Sequence, residues 1–154
     1  MNNVRVSLCK PTPQGRLHYR YDPQIDEELV LLKSAVSERW SYFVNINGGD
    51  ALFDLDANRI LRVAEFVIPK RAWVVVPTLD IPHVIDEADI QFIEVMHSRE
   101  YLTLPVVVTT NTTQSHVCIV LGEREPDMFW ISLSKNCSAL IVKDRLKGFF
   151  VALK

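Results

Sequence analysis

The chain has 154 residues, a formal net charge of −2, 48% hydrophobic and 23% charged residues, and three widely spaced cysteines. These values describe a globular chain with enough apolar material for a core and exclude a highly charged disordered one, while cysteines without a C-x-x-C pair speak against a disulfide framework or a zinc site. The opening MNNVRVSLCK lacks the apolar centre and cleavage site of a signal peptide, and no apolar run has membrane-spanning length, so a soluble cytoplasmic protein of one domain, residues 1–154, is the expectation.

Val4, Val6 and Leu8 alternate with Arg5, Ser7 and Cys9, the pattern of a half-buried strand that Pro11 and Pro13 end. Residues 16–21 alternate again, with Leu17, Tyr19 and Tyr21 on one face. Asp22-Pro23 then carries helix-start chemistry: a capping side chain, a proline suited to the first helical position, and Asp26, Glu27 and Glu28 to complement the positive end of the dipole. With Ile25, Leu29, Leu32, Val36 and Trp40 at helical spacing, a helix is predicted over about 23–37.

Residues 40–46 read as a strand that turns at Asn47-Gly48-Gly49-Asp50 into a hairpin over residues 51–68. A loop of Ala57-Asn58-Arg59, with Asn58 as the left-handed residue, sets Leu55 opposite Leu61, Phe53 opposite Val63 and Asp54 opposite Arg62. The same turn meets the calcium-loop pattern at Asp54, Asp56, Asn58 and Glu65, but Arg59 occupies the glycine position and the flanks are not helical. An acidic β-turn is therefore the expectation.

After Pro69-Lys70-Arg71 a further strand is predicted over residues 72–76, and Pro77 and Pro82 bracket a non-periodic connection. Ile85, Ala88, Phe92, Val95 and Met96 make a helical face from which Ile90 and Ile93 depart, and early acids followed by His97 and Arg99 favour a second short helix over about 86–97. The remainder reads as strands over residues 101–110, 115–121, 128–134, 139–143 and 148–153, the first interrupted by Pro105. The expected fold class is α+β: a single domain of largely antiparallel twisted sheet carrying those two helices.

Charge is unevenly placed. Residues 1–21 hold Arg5, Lys10, Arg16 and Arg20 without an acid, whereas residues 80–94 hold Asp80, Asp86, Glu87, Asp89 and Glu94 without Lys or Arg. An acid-only segment steers a basic partner. The leading expectation is thus a non-enzymatic protein that binds another protein with a basic surface through Asp80, Asp86, Glu87, Asp89 and Glu94, an inhibitor or immunity-type protein being its most concrete form. No cofactor, metal or membrane partner is expected.

The alternative is a small enzyme or ligand carrier with a pocket between the first helix and the sheet. His116 and Cys118 share a strand face, but Val117, Ile119 and Val120 surround the thiol as in an inert core cysteine. No catalytic residue is assigned, and His18, His83, His97 and His116 lack helical metal-ligand spacing. Nucleic-acid binding through the basic opening ranks third because the overall balance is acidic. Self-association through free strand edges is a further reading.

Overall fold

The computed structural model describes residues 3–12, 16–19, 30–35, 40–96 and 100–153. Among them the secondary structure is β apart from one 3-10 turn at Lys70–Ala72. The strands are β1 (Val4–Cys9), β2 (Leu17–Tyr19), β3 (Val30–Ser34), β4 (Tyr42–Ile46), β5 (Ala51–Leu55), β6 (Leu61–Phe66) and β7 (Val74–Val75). They continue as β8 (Val84–Glu87), β9 (Asp89–Phe92), β10 (Val106–Thr110), β11 (His116–Leu121), β12 (Phe129–Ser134), β13 (Cys137–Val142) and β14 (Arg145–Ala152).

The α+β expectation is therefore overturned. Within the span predicted as the first helix, Val30–Ser34 is a strand whose Val30, Leu32 and Ser34 are buried while Leu31 and Lys33 turn outward. Leu32 satisfies both a helical stripe and a two-residue alternation, and pairing with β6 (Val30 opposite Phe66, Leu32 opposite Ala64) decides for the strand. Residues 23–29 and 36–37 of that prediction lie outside the described residues. The described part of the second predicted helix is strand as far as Phe92 and irregular from Ile93 to Met96. Ala88, Ile90 and Phe92 are all buried at period two, which accounts for Ile90, one of the two residues that depart from the helical face. His97 lies outside the described residues.

Two sheets result. The larger runs β7-β10-β11-β14-β13-β12-β8, with β1 pairing first with β14 at Val4 and Arg5 and then with β9 from Val6 to Cys9. The smaller runs β2-β3-β6-β5-β4. Pairing is antiparallel except where β7 joins β10 and β8 joins β12. The sheets face each other across Phe53 and Phe66 from the small sheet and Phe92 and Phe149 from the large one, all buried, with ring centroids 5.2–6.1 Å apart in tilted or edge-on pairs.

The central hairpin closes by a different register from the one predicted. Leu55 does face Leu61, but a bulge between Asp54 and Leu55 puts Phe53 opposite Ala64 and Asp54 opposite Val63. The left-handed residue is Arg59 (φ 64°), which donates its N–H to the Asp56 carbonyl at 2.9 Å. Asp56 rather than Asp54 is thereby delivered to Arg62. The Asn47-Gly48-Gly49-Asp50 turn forms as its composition requires, with φ of 55°, 71° and 139° at its first three residues.

β7 and β8 lie at opposite margins of the large sheet, and the residues joining them must cross its outer face. Six inter-strand spacings amount to roughly 29 Å, close to the roughly 30 Å that the chain from Val75 to Val84 spans when extended. An extended strap of this length suffices for the crossing, a state in which Pro77 and Pro82 lose nothing by having no N–H. Leu79 anchors it to a small outer cluster of Cys118, Val120, Phe150 and Trp130.

Candidate functional site

The strap and β8 carry the surface that the charge pattern singled out. Asp80, in the strap, and Asp86, in β8, are exposed, and neither meets a Lys or Arg among the described residues. Glu87 is exposed but pairs with Arg16 at 2.9 Å. Asp89 is buried, accepting from the Thr12 hydroxyl at 2.9 Å and lying 3.9 Å from the Arg62 guanidinium. Glu94 pairs with Arg5 at 3.0 Å, and Arg5 holds Asp144 as well. The five carboxylates therefore do not act together. Asp80, Asp86 and the partly neutralised Glu87 form the accessible acid, while Asp89 and Glu94 fasten the chain to itself.

The basic opening and the acidic segment, so distinct in sequence, are in part each other's counter-ions. Arg16 also donates to the carbonyls of Leu133 at 2.6 Å and Ser132 at 3.2 Å, at the end of β12 where its pairing with β8 stops. The Arg5 guanidinium, between Glu94 and Asp144, has its pKa raised by those hydrogen bonds. Arg20 lies outside the described residues.

Composition did not reveal the apolar half of this surface. All four residues of β8 are exposed; Ile85 is 61% exposed, and Ile81, just upstream in the strap, is 77% exposed. The signal available is two branched aliphatics among acids and prolines, but helical spacing places Ile85 on a buried face. Exposed aliphatics of this size beside an edge strand cost solvation unless something covers them.

On either side of the strap the outer face of the large sheet opens into cavities of about 350 Å³ and 430 Å³. Among the described residues there is no helix for the expected helix–sheet pocket to form against, since Val30–Ser34 is itself sheet. His116 lines the smaller cavity and Cys118 the larger. Burial pushes the Cys118 thiol up, opposite to the activation a nucleophile requires. His116 Nδ1 meets the Ser115 hydroxyl at 3.0 Å, not a carboxylate.

The calcium-like turn is occupied by its own chain. Asp56 accepts the N–H groups of Asn58 (2.8 Å) and Ile60 (3.0 Å) through one oxygen and the Arg62 Nε (2.9 Å) through the other. Among the described residues no three His, Cys, Asp or Glu side chains gather as a metal site would need. Likewise, no helix among them is long and apolar enough to cross a membrane. No protein-family model matches the chain, and the curated proteins include no significant match to it.

Proposed function

We propose that this protein works by binding another protein along β8 and the adjoining strap. The observation that supports the reading is an edge strand exposed at all four of its residues, which include Ile85 and Asp86, with Ile81 and Asp80 exposed just upstream and neither carboxylate meeting a counter-ion among the described residues. Such an edge accepts an added strand through its backbone, its aliphatic side chains supply the apolar contact, and Asp80 and Asp86 favour a basic partner. No feature of the fold singles out the narrower inhibitor or immunity-type role.

Affinity capture from the native source, with the wild type and with Ile85→Arg side by side, tests the proposal. A partner retained by the first and lost by the second is the expected result. With the partner in hand, Asp80→Asn with Asp86→Asn should slow association and flatten its salt dependence. Glu87→Gln should do less, because Arg16 already neutralises that carboxylate. A partner that binds all these variants as it binds the wild type would remove β8 from the interface.

A further inference from the structure

We propose that the cavity of about 350 Å³ between the strap and the outer face of the large sheet binds a small planar aromatic carboxylate. Its floor is the Phe150 ring, and Ile81 and Val84 supply apolar wall from the strap side. Among the described residues no Asp or Glu lines it. Its cation is Lys135, at the β12–β13 turn, which has no ion pair among the described residues. In a chain of net charge −2, a pocket whose described lining has a lysine and no acid favours an anion.

The polar groups facing this space are donors left over after internal bonding. Ser138, opposite Phe150 on β13, has no side-chain hydrogen bond among the described residues. The His116 ring is held by its neighbour. Asn111 Oδ1 accepts the backbone N–H of Ser115 at 2.9 Å, which orients its Nδ2 to donate to Ser115 Oγ at 2.8 Å. Thr113 Oγ1 donates to the same oxygen at 3.1 Å. The same hydroxyl lies 3.0 Å from His116 Nδ1, which holds the ring and leaves Nε2 as its other polar atom.

The His116 ring lies 5.6 Å from Phe150, tilted by 32°, and completes an aromatic corner. The site thus presents an aromatic surface for a flat ring and two unspent donors, the Lys135 ammonium and the Ser138 hydroxyl, for its anionic group, with the His116 ring beside them. The volume is at the lower end of the range that ligand cavities occupy, which suits one or two fused rings. This inference does not depend on protein binding at β8.

Titration of isotope-labelled protein with benzoate and 2-naphthoate, followed by amide shifts, tests it, with benzamide and benzylamine as neutral and cationic controls. The carboxylates should give saturable shifts at Ser138, Phe150 and His116, benzamide should bind about tenfold more weakly, and benzylamine should not bind. Lys135→Met and Ser138→Ala should each weaken naphthoate about tenfold without moving thermal unfolding, since Lys135 is exposed and Ser138 half-buried. Amide and carboxylate of equal affinity, shifts confined to other surfaces, unchanged binding in both variants, or no saturable shift at millimolar ligand would each overturn the assignment.

Discussion

The side-chain amide of Asn136 pairs with the backbone of Tyr19 in both directions. The Tyr19 N–H donates to Oδ1 at 3.3 Å, and Nδ2 donates to the Tyr19 carbonyl at 3.2 Å. A side chain from the β12–β13 turn of the large sheet thereby serves β2, the marginal strand of the small sheet, as a neighbouring peptide would. Ser134 also donates to Asn136 Oδ1 at 3.0 Å, which fixes the orientation of the amide.

Removing that amide leaves a strand edge and a buried serine short of partners. Asn136→Ala should destabilise the fold by about 1–3 kcal/mol. Asn136→Asp, which keeps an acceptor but loses the Nδ2 donor, should fall between Ala and the wild type. Urea unfolding monitored by tryptophan fluorescence measures both; an unchanged midpoint in Asn136→Ala would mean that the sheets are held without this bond.

Arg62 is the cation between Asp56 and Asp89, and all three residues are less than a tenth exposed. Taking the guanidinium away strands buried carboxylates, so Arg62→Met should cost about 3–5 kcal/mol. Arg62→Lys should recover part of the loss, since an ammonium restores charge but cannot divide donors between two carboxylates as the planar group does. Equal stability of the Met and Lys variants would show that the charge contributes nothing.

Gly148 sits where β14 passes β11, and a Cβ there would collide with the carbonyl oxygen of Ile119. Since that atom is backbone, relief requires the two strands to part. Gly148→Ala should therefore destabilise by about 3 kcal/mol although it adds only a methyl group to a buried position. Thermal unfolding of this variant close to that of the wild type would contradict the close approach of the strands.

The third charge cluster makes a pH prediction. Glu125 meets Lys147 Nζ at 3.1 Å and Arg145 at 2.8 Å, and hydrogen bonding to Lys147 first, then to Arg145, lowers its pKa. A carboxylate lowered on folding contributes stability above its unfolded pKa of about 4.3 and loses it as pH falls through the folded value. Glu125→Gln should thus narrow the gap in unfolding midpoint between neutral and acid pH. Lys147, buried beside Gly122, should make the Gln variant less stable than the wild type at neutral pH, and the two should converge in acid. Parallel pH profiles would refute the linkage.

Local chemistry alone specified a good deal. The glycine turn after β4, the strands of the closing meander and the break at Pro105 follow from residue-level preferences for backbone angle and alternation; β10 begins at Val106, directly after that proline, while residues 101–105, expected in the same strand, form none. Tertiary pairing decided what local pattern left ambiguous. Leu32 fits two periodicities, and only β6 alongside selects one of them. The ion pairs of the acidic segment join residues 71 and 89 positions apart, so neither the neutralisation of Glu87 and Glu94 nor the remaining freedom of Asp80 and Asp86 is visible along the chain. The strap and its cavities exist because β7 and β8 take opposite margins of one sheet, and that order is set by long-range hydrogen bonding that no stretch of residues encodes alone.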